Sequence, residues 1–151
     1  MPEYLRCADR RNMNQEIIDF NNNNLEGEYF ARRNHVVISV FEDDYAEAYI
    51  DVEQDTLNHN GYIHGGAFLL LCDMASGAAV HSNGENYVTQ NMNTNFMATV
   101  SSGRITAKAG IVKRTRSFAI CDVKIYSDEG KLLVSASVTY YCVSGKKYSV
   151  K

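Results

Sequence analysis

The 151-residue sequence has little of what marks a secreted, membrane-bound or nucleic-acid-binding protein. Its start lacks the cationic segment and apolar run of a secretory signal, and its longest apolar run, residues 67–80, is shorter than the roughly 20 residues that cross a bilayer. Fifteen Lys and Arg against 18 Asp and Glu give a net charge of −3, which provides no general attraction to phosphate backbones or anionic membranes. We therefore expect a cytoplasmic protein with no nucleic-acid or membrane partner.

Cysteine patterns with a known structural use are also absent. Cys7, Cys72, Cys121 and Cys142 are isolated, without a Cys-x-x-Cys pair or a His at ligand spacing. This predicts neither a disulfide framework nor a zinc site, and it favours buried thiols in a reducing compartment. With one Pro and no low-complexity tract beyond residues 21–24, the chain should fold as a compact globular unit.

Hydrophobic periodicity predicts two strands, one helix and four further strands. Residues 1–30 form an N-terminal extension with a weakly helical patch at 14–20 and an Asn-rich turn at 21–24, and residues 31–151 form a single domain. The predicted elements are a hairpin over 36–52 that turns at 43–44, a helix over 67–80 that ends at 83–84, and strands over 87–97, 103–113, 117–127 and 131–143, the last two joined by a tight turn at 128–130.

The predicted helix is apolar on nearly every face, so other structure should wrap it. Consecutive antiparallel strands can bury one such helix only by curling the sheet around it. The sequence therefore predicts an α+β fold in which a curled antiparallel β-sheet surrounds one long central hydrophobic helix.

A motif lies between the hairpin and the middle of this helix. It reads Asn58, then Gly61-x-x-His64-Gly65-Gly66, then Leu71-x-Asp73. The pattern resembles the signature of the hotdog-fold thioesterases related to phenylacetic acid degradation, the PaaI-like family, and the resemblance covers about the last two thirds of the chain. It implies the hotdog fold and hydrolysis of an acyl-CoA or aryl-CoA thioester to free CoA and a carboxylic acid.

Asp73 is the only acidic or basic side chain in residues 67–80. An unpaired carboxylate in apolar surroundings is costly or has a raised pKa, and such a group often marks a functional site. The alternative is a hydrogen bond that only locks the helix in place. The resemblance implies that Asp73 is catalytic, as a general base on water or as a nucleophile that forms a mixed anhydride.

Gly65 and Gly66 stand where the helix begins, so their N–H groups are among the donors without an intrahelical acceptor. Such donors can bind an oxyanion, and the resemblance implies that the Gly65 N–H polarises the thioester carbonyl. The alternative, a tight loop leading into the helix, is compatible with this role. His64 is assigned a role in positioning the loop beside the substrate, because the hydratases of this fold need a differently placed His.

Two further residues match family positions. The resemblance implies that Asn58 lies beside the thioester or the attacking water, and that the Thr89 hydroxyl orients the nucleophile. Asn58 could instead be an ordinary loop amide, and Thr89 an ordinary strand hydroxyl.

Four basic residues lie on and just beyond one predicted strand: Lys108, Lys113, Arg114 and Arg116. They could hold the phosphates of coenzyme A by charge-assisted hydrogen bonds, or they could form a solvated turn. The family often has Gly at the position of Thr115 and Pro at that of Ala98, so the local turn geometry should differ from that of its relatives.

Asp73 lies eight residues after Gly65, a rise of roughly 12 Å along the helix, which is too far for both groups to reach one carbon. A second helix packed antiparallel would solve this, and the resemblance also implies a homodimer with shared active sites, alone or as half of a tetramer. No metal or redox cofactor is expected, since coenzyme A is part of the substrate. The alternatives are an acyl-CoA-binding protein without turnover and a hydratase or dehydratase.

Overall fold

The computed structural model describes residues 29–147. The helical patch and Asn-rich turn predicted in the extension lie outside these residues, as does Cys7. In chain order the elements are α1 (Tyr29–Arg33), β1 (Val37–Glu42), β2 (Tyr45–Asp51), a 3-10 turn (Gln54–Thr56), α2 (Gly65–His81), β3 (Glu85–Phe96), β4 (Arg104–Arg114), β5 (Phe118–Ser127) and β6 (Leu132–Lys147). None of the helices in this part of the chain has the length and apolar character needed to span a membrane.

All six strands form one antiparallel sheet in the order β1-β2-β4-β5-β6-β3. The predicted hairpin is confirmed, with Asp44 in the left-handed region at its turn (φ 61°). In the described chain β3 pairs only with β6, so it is an edge strand despite its 12 residues. The sheet packs against α2 from β1 to β6, which confirms the hotdog architecture.

The period-two alternation of the strands decides which side chains enter the core. Ala46, Ala48 and Ile50 of β2 are fully buried against the helix, and the same rule holds along β4 and β5. The same alternation in β6 buries Val134, Ala136, Val138 and Tyr140 as predicted. Only the start of this strand departs from it: Leu133 is buried and Leu132 is partly buried, because the register shifts between Ile125 and Tyr126.

The sheet covers α2 mainly on one side, so a single subunit leaves part of the helix surface exposed. Leu71, Cys72, Ala75 and Ala79 are fully buried, whereas Leu69 on the other side is 40% exposed. The open side carries Asp73, which is only partly buried.

Candidate active site

Asp73 lies midway along α2, where the open side of the helix meets the edge strand β3. Thr89 of β3 donates a hydrogen bond of 2.8 Å from its Oγ1 to Asp73 Oδ1. Asp73 Oδ2 has no hydrogen-bond partner among the side chains that the structure describes. The carboxylate is therefore neither unpaired nor enclosed by apolar groups, which corrects the expected environment: one oxygen is held and the other is open.

Behind Asp73 lies a buried hydroxyl pair that the motif does not contain. Tyr140 of β6 is 2% exposed, and its Oη lies 3.3 Å from Asp73 Oδ1, 3.1 Å from the Asp73 carbonyl oxygen and 2.8 Å from Ser76 Oγ. Ser76, one turn after Asp73, is fully buried and donates to the Cys72 carbonyl oxygen at 2.6 Å or to Tyr140. The alternation of β6 placed Tyr140 on the inward face, and this was the only available signal in the sequence.

His64, Gly65 and Gly66 lie at the start of α2, and their hydrogen bonds give each a different role. His64 is the N-cap, and its Nδ1 accepts the Gly66 N–H at 2.9 Å, so the ring carries its proton on Nε2. The Gly66 N–H is thus already used inside the loop. The Gly65 N–H has no acceptor among the described residues, and of the two glycines only Gly65 has a donor available for an oxyanion.

The loop before His64 is organised by Asn58. Its Oδ1 accepts the N–H of Asn60 at 2.9 Å and of Tyr62 at 3.3 Å, and its own N–H donates to the Tyr62 carbonyl at 2.7 Å. The side-chain oxygen therefore holds a turn whose Gly61 has φ 78°. This matches the loop-amide alternative for the oxygen, and the role of the amide nitrogen beside a thioester remains a prediction.

Arg114 does not belong to a surface cluster. Its guanidinium donates to the Val80 carbonyl oxygen at 3.0 Å, the Tyr87 hydroxyl at 2.8 Å and Asp44 Oδ1 at 2.6 Å. It also lies over the Tyr87 ring, 5.4 Å from the centroid. Arg114 therefore joins the β1–β2 turn, the end of α2 and the start of β3, an arrangement that we call the clamp. The predicted contact of Arg114 with coenzyme A stays a prediction.

The other three basic residues are not gathered into one site either. Lys108 lies on the outer face of the sheet and forms an ion pair with Glu47 at 3.4 Å. Lys113 and Arg116 are exposed near the β4–β5 turn. In that turn Thr115 Oγ1 accepts the N–H groups of Ser117 and Phe118, so a hydroxyl organises the position where the family often has Gly.

Apolar side chains surround the start of α2. The rings of Phe68 and Phe96 pack with centroids 6.1 Å apart, and a methyl group added at Gly65 would lie 4.0 Å from the Phe96 ring. Phe96 and Leu69 are 52% and 40% exposed, so this end of the helix presents an open apolar surface. Such a surface suits an apolar acyl chain or aromatic ring more than a charged one.

A second cluster of polar side chains consists of His35, Glu53 and Asp55. They place one possible metal-ligand atom each within 4.8 Å of one another. His35 Nε2 and Asp55 Oδ2 already pair at 2.8 Å, and this bond raises the pKa of His35 and lowers that of Asp55. The ion pair accounts for the geometry of the cluster without a metal ion.

Comparison with known proteins connects this arrangement to an enzyme family. Residues 60–134 match the family model described as Thioesterase superfamily. A Mycobacterium tuberculosis protein named "Putative esterase" is 31% identical over 101 residues, which cover 63% of this chain and 72% of that protein. A Streptococcus pneumoniae protein named "Hypothetical Thioesterase Protein", solved with coenzyme A, superposes with a TM-score of 0.74 at 26% identity, covering 83% of this chain and 99% of its own. The Escherichia coli PaaI protein shares the fold with a TM-score of 0.79 at 19% identity, covering 88% and 97%.

Proposed function

The chain belongs to the thioesterase superfamily and is an acyl-CoA thioesterase, and from this premise we propose that it uses Asp73 as general base and the Gly65 N–H as oxyanion donor. The observation that carries the proposal is the state of the Asp73 carboxylate. Thr89 fixes Oδ1 while Oδ2 is open, as a base that must receive a proton from water requires.

The reaction follows from these two groups. Asp73 Oδ2 takes a proton from water, the water oxygen bonds to the thioester carbon, and the Gly65 N–H stabilises the negative charge that develops on the carbonyl oxygen. The carbon–sulfur bond then breaks, and the thiolate of coenzyme A takes the proton back from Asp73. If Asp73 were instead a nucleophile and water then attacked the Asp73 carbon of the mixed anhydride, a single turnover in ¹⁸O-water would put the label into Asp73 and leave the first acid product unlabelled.

Two subunits are needed to bring these groups together. In one subunit Asp73 contacts β3 at Thr89, whereas Gly65 lies beside Phe96 at the other end of the strand. A second copy of α2, antiparallel to the first, places its Asp73 near the first copy's Gly65. The open side of α2 and the unpaired edge of β3 support this arrangement, because both leave surface for a second subunit.

The substrate we propose is a coenzyme A thioester with an apolar acyl or aryl group. The apolar surface of Phe68, Leu69 and Phe96 beside Gly65 favours such a group at the reacting end. The coenzyme A present in the Streptococcus pneumoniae structure supports the proposal that the other part of the substrate is coenzyme A. Because the Arg114 guanidinium already bonds to protein groups, the exposed Lys113 and Arg116 are the proposed contacts to the phosphates of coenzyme A.

The first experiment measures thiol release from short, long and aromatic acyl-CoA substrates. We expect turnover of at least one of them, and a loss of about a hundredfold or more in kcat in Asp73→Asn, which keeps the shape and removes the charge. Binding of acyl-CoA without thiol release would make the chain a binding protein. Full activity of a folded Asp73→Asn variant would make Asp73 structural.

A single substitution can remove the proposed oxyanion donor, the Gly65 N–H. Gly65 is the first helical residue, where proline is well tolerated, and His64 has ψ 137°, which suits the residue before a proline. Gly65→Pro therefore removes the N–H with little change in backbone. We expect about a hundredfold lower kcat, whereas the matched Gly65→Ala keeps the N–H, has room for its methyl group and keeps most activity. Equal activities of the two variants would exclude this donor.

A further inference from the structure

The buried hydroxyls of Tyr140 and Ser76 can share their protons in two ways. Each hydroxyl has one proton, but Ser76 lies within reach of the Cys72 carbonyl oxygen and of Tyr140, and Tyr140 lies within reach of Ser76 and of two Asp73 oxygens. In one arrangement Ser76 donates to Cys72 and Tyr140 donates to Ser76. In the other, Ser76 donates to Tyr140, and Tyr140 donates to Asp73.

The charge of Asp73 selects between these arrangements. An ionised carboxylate only accepts hydrogen bonds, so in the first arrangement the Tyr140 oxygen would face Asp73 Oδ1 at 3.3 Å without a proton between them. In the second arrangement the phenol donates to that oxygen, which as a charged acceptor forms a stronger bond than the neutral Asp73 carbonyl oxygen at 3.1 Å. Ionisation of Asp73 therefore turns the Tyr140 proton toward the carboxylate, and protonation of Asp73 releases it to Ser76.

We infer that Tyr140 is a positioning residue for Asp73, which donates from the buried side to Oδ1 of the ionised carboxylate and passes its proton to Ser76 when Asp73 is protonated. The inference rests on the proposed function of Asp73. Because Thr89 and Tyr140 both bond Oδ1, they leave Oδ2 as the oxygen that faces water. Tyr140 itself is buried and does not touch the substrate.

The other titratable groups around Asp73 do not change charge in the pH range in which a carboxylate titrates. Tyr140 faces it from β6, Cys72 from its own helix, and Cys121 from β5 lies beside both. Burial raises the pKa of each of these two thiols to about 12 and raises that of Tyr140 as well. Tyr140 therefore keeps its proton throughout this range.

Tyr140→Phe tests the inference, because it removes one oxygen and keeps the ring. The ¹³C NMR signal of the Asp73 carboxyl carbon, assigned from the signal missing in Asp73→Asn, reports on the hydrogen bonds to this group. We expect Tyr140→Phe to move this signal and to lower kcat about tenfold with KM unchanged. The control Tyr141→Phe changes the next residue, which is half exposed on the other face, and should change neither.

Ser76→Ala separates proton sharing from packing. It removes the competing acceptor and keeps the phenol, so the Tyr140 proton stays on Asp73, and the carboxyl signal and kcat should both stay near their wild-type values. A cavity effect would change them in both variants. An unchanged signal and kcat in Tyr140→Phe, or changes in Ser76→Ala as large as those in Tyr140→Phe, would overturn the inference. The NMR measurement needs no turnover, so a failure of the thioesterase mechanism would be seen separately, in Asp73→Asn.

Discussion

The Thr89 hydroxyl donates a hydrogen bond of 2.8 Å to Asp73 Oδ1, and so joins the edge strand β3 to a helix residue 16 positions earlier in the chain. The direction of the carboxylate is thus set by a strand and not by the helix that carries it. Because β3 is an edge strand, the orientation of Asp73 depends on the part of the sheet that a second subunit would contact.

Replacement of Thr89 should change catalysis more than stability. Thr89→Val keeps the branched shape but loses the donor, and we expect kcat to fall about tenfold, as for the loss of one hydrogen bond to a charged group. Thr89→Ser keeps the hydroxyl and should retain most activity. Steady-state thiol release at saturating substrate measures both, and equal kcat values for the two variants would remove Thr89 from the site.

Loss of Arg114 should destabilise the fold. The Arg114 side chain is 19% exposed, and its guanidinium joins three elements. Arg114→Ala leaves buried acceptors unpaired, so the free energy of unfolding should fall by about 1–3 kcal/mol. Arg114→Lys should recover little, because an ammonium group cannot reproduce the fork geometry. Chemical denaturation measures the free energy of unfolding.

Arg116→Ala is the matched control for the clamp, since Arg116 lies two residues away and is exposed. Its stability should be unchanged, while its KM for acyl-CoA should rise if Arg116 contacts the coenzyme phosphates. If Arg114→Ala were as stable as wild type and raised KM instead, the coenzyme role would return to Arg114.

Mixed dimers test whether the active site is shared. Asp73→Asn and Gly65→Pro are each inactive in our proposal, and each lacks a different half of the site. After co-refolding in equal amounts, random pairing makes half of the dimers mixed, each with one intact site of two, so about a quarter of wild-type activity should reappear. Mixed dimers verified by mass spectrometry that show no gain over the parents would place both groups in one subunit.

The His35–Asp55 pair should stabilise the fold only in a limited pH range. Its hydrogen bond raises the pKa of His35 above 6.5, so this stabilisation is complete below about pH 6.5 and is lost as the pH rises through the new value. The same bond lowers the pKa of Asp55 below 3.8, so the stabilisation is lost again as the pH falls through that new value. The Tm difference between wild type and Asp55→Asn should thus be largest between about pH 4 and 6.5 and shrink as the pH rises above that range. A difference independent of pH would mean that the pair does not titrate with folding.

The sequence predicts the fold well because period-two alternation and a long apolar run are local signals. Glycines mark the chain reversals correctly, since Gly84 and Gly130 have φ values of 78° and 80°, which other residues rarely adopt. The uncovered side of α2 was not predictable in the same way. An apolar helix looks the same in sequence whether its own sheet or a second subunit covers it.

The sequence predicted the positions of site residues that are neighbours in the chain. It missed a position that depends on a register shift between paired strands. His64, Gly65 and Gly66 are neighbours, so their placement at the helix start follows from the motif. Counting by twos from Lys108 would put Arg114 on the same outer face. The register shift between Ile111 and Lys113 reverses this and turns Arg114 inward.

The contact between Tyr140 and Asp73 spans 67 residues and requires knowing which inward position of β6 faces the middle of α2. That depends on the order and curvature of all six strands. Alternation gives the face of a side chain, and only the assembled sheet gives its neighbour across the core.

The unpaired edge of β3 also bears on how the protein survives in a cell. Its only charged residue is Glu85 at the first position, and the rest is rich in Asn and hydroxyl side chains, without the Lys or Pro that commonly block an open edge. Amide-rich strands of this kind stack readily into cross-β aggregates. In the proposed dimer, a subunit without its partner is therefore an aggregation risk, and a mutation that weakens assembly should reduce the yield of soluble protein before it produces free monomers.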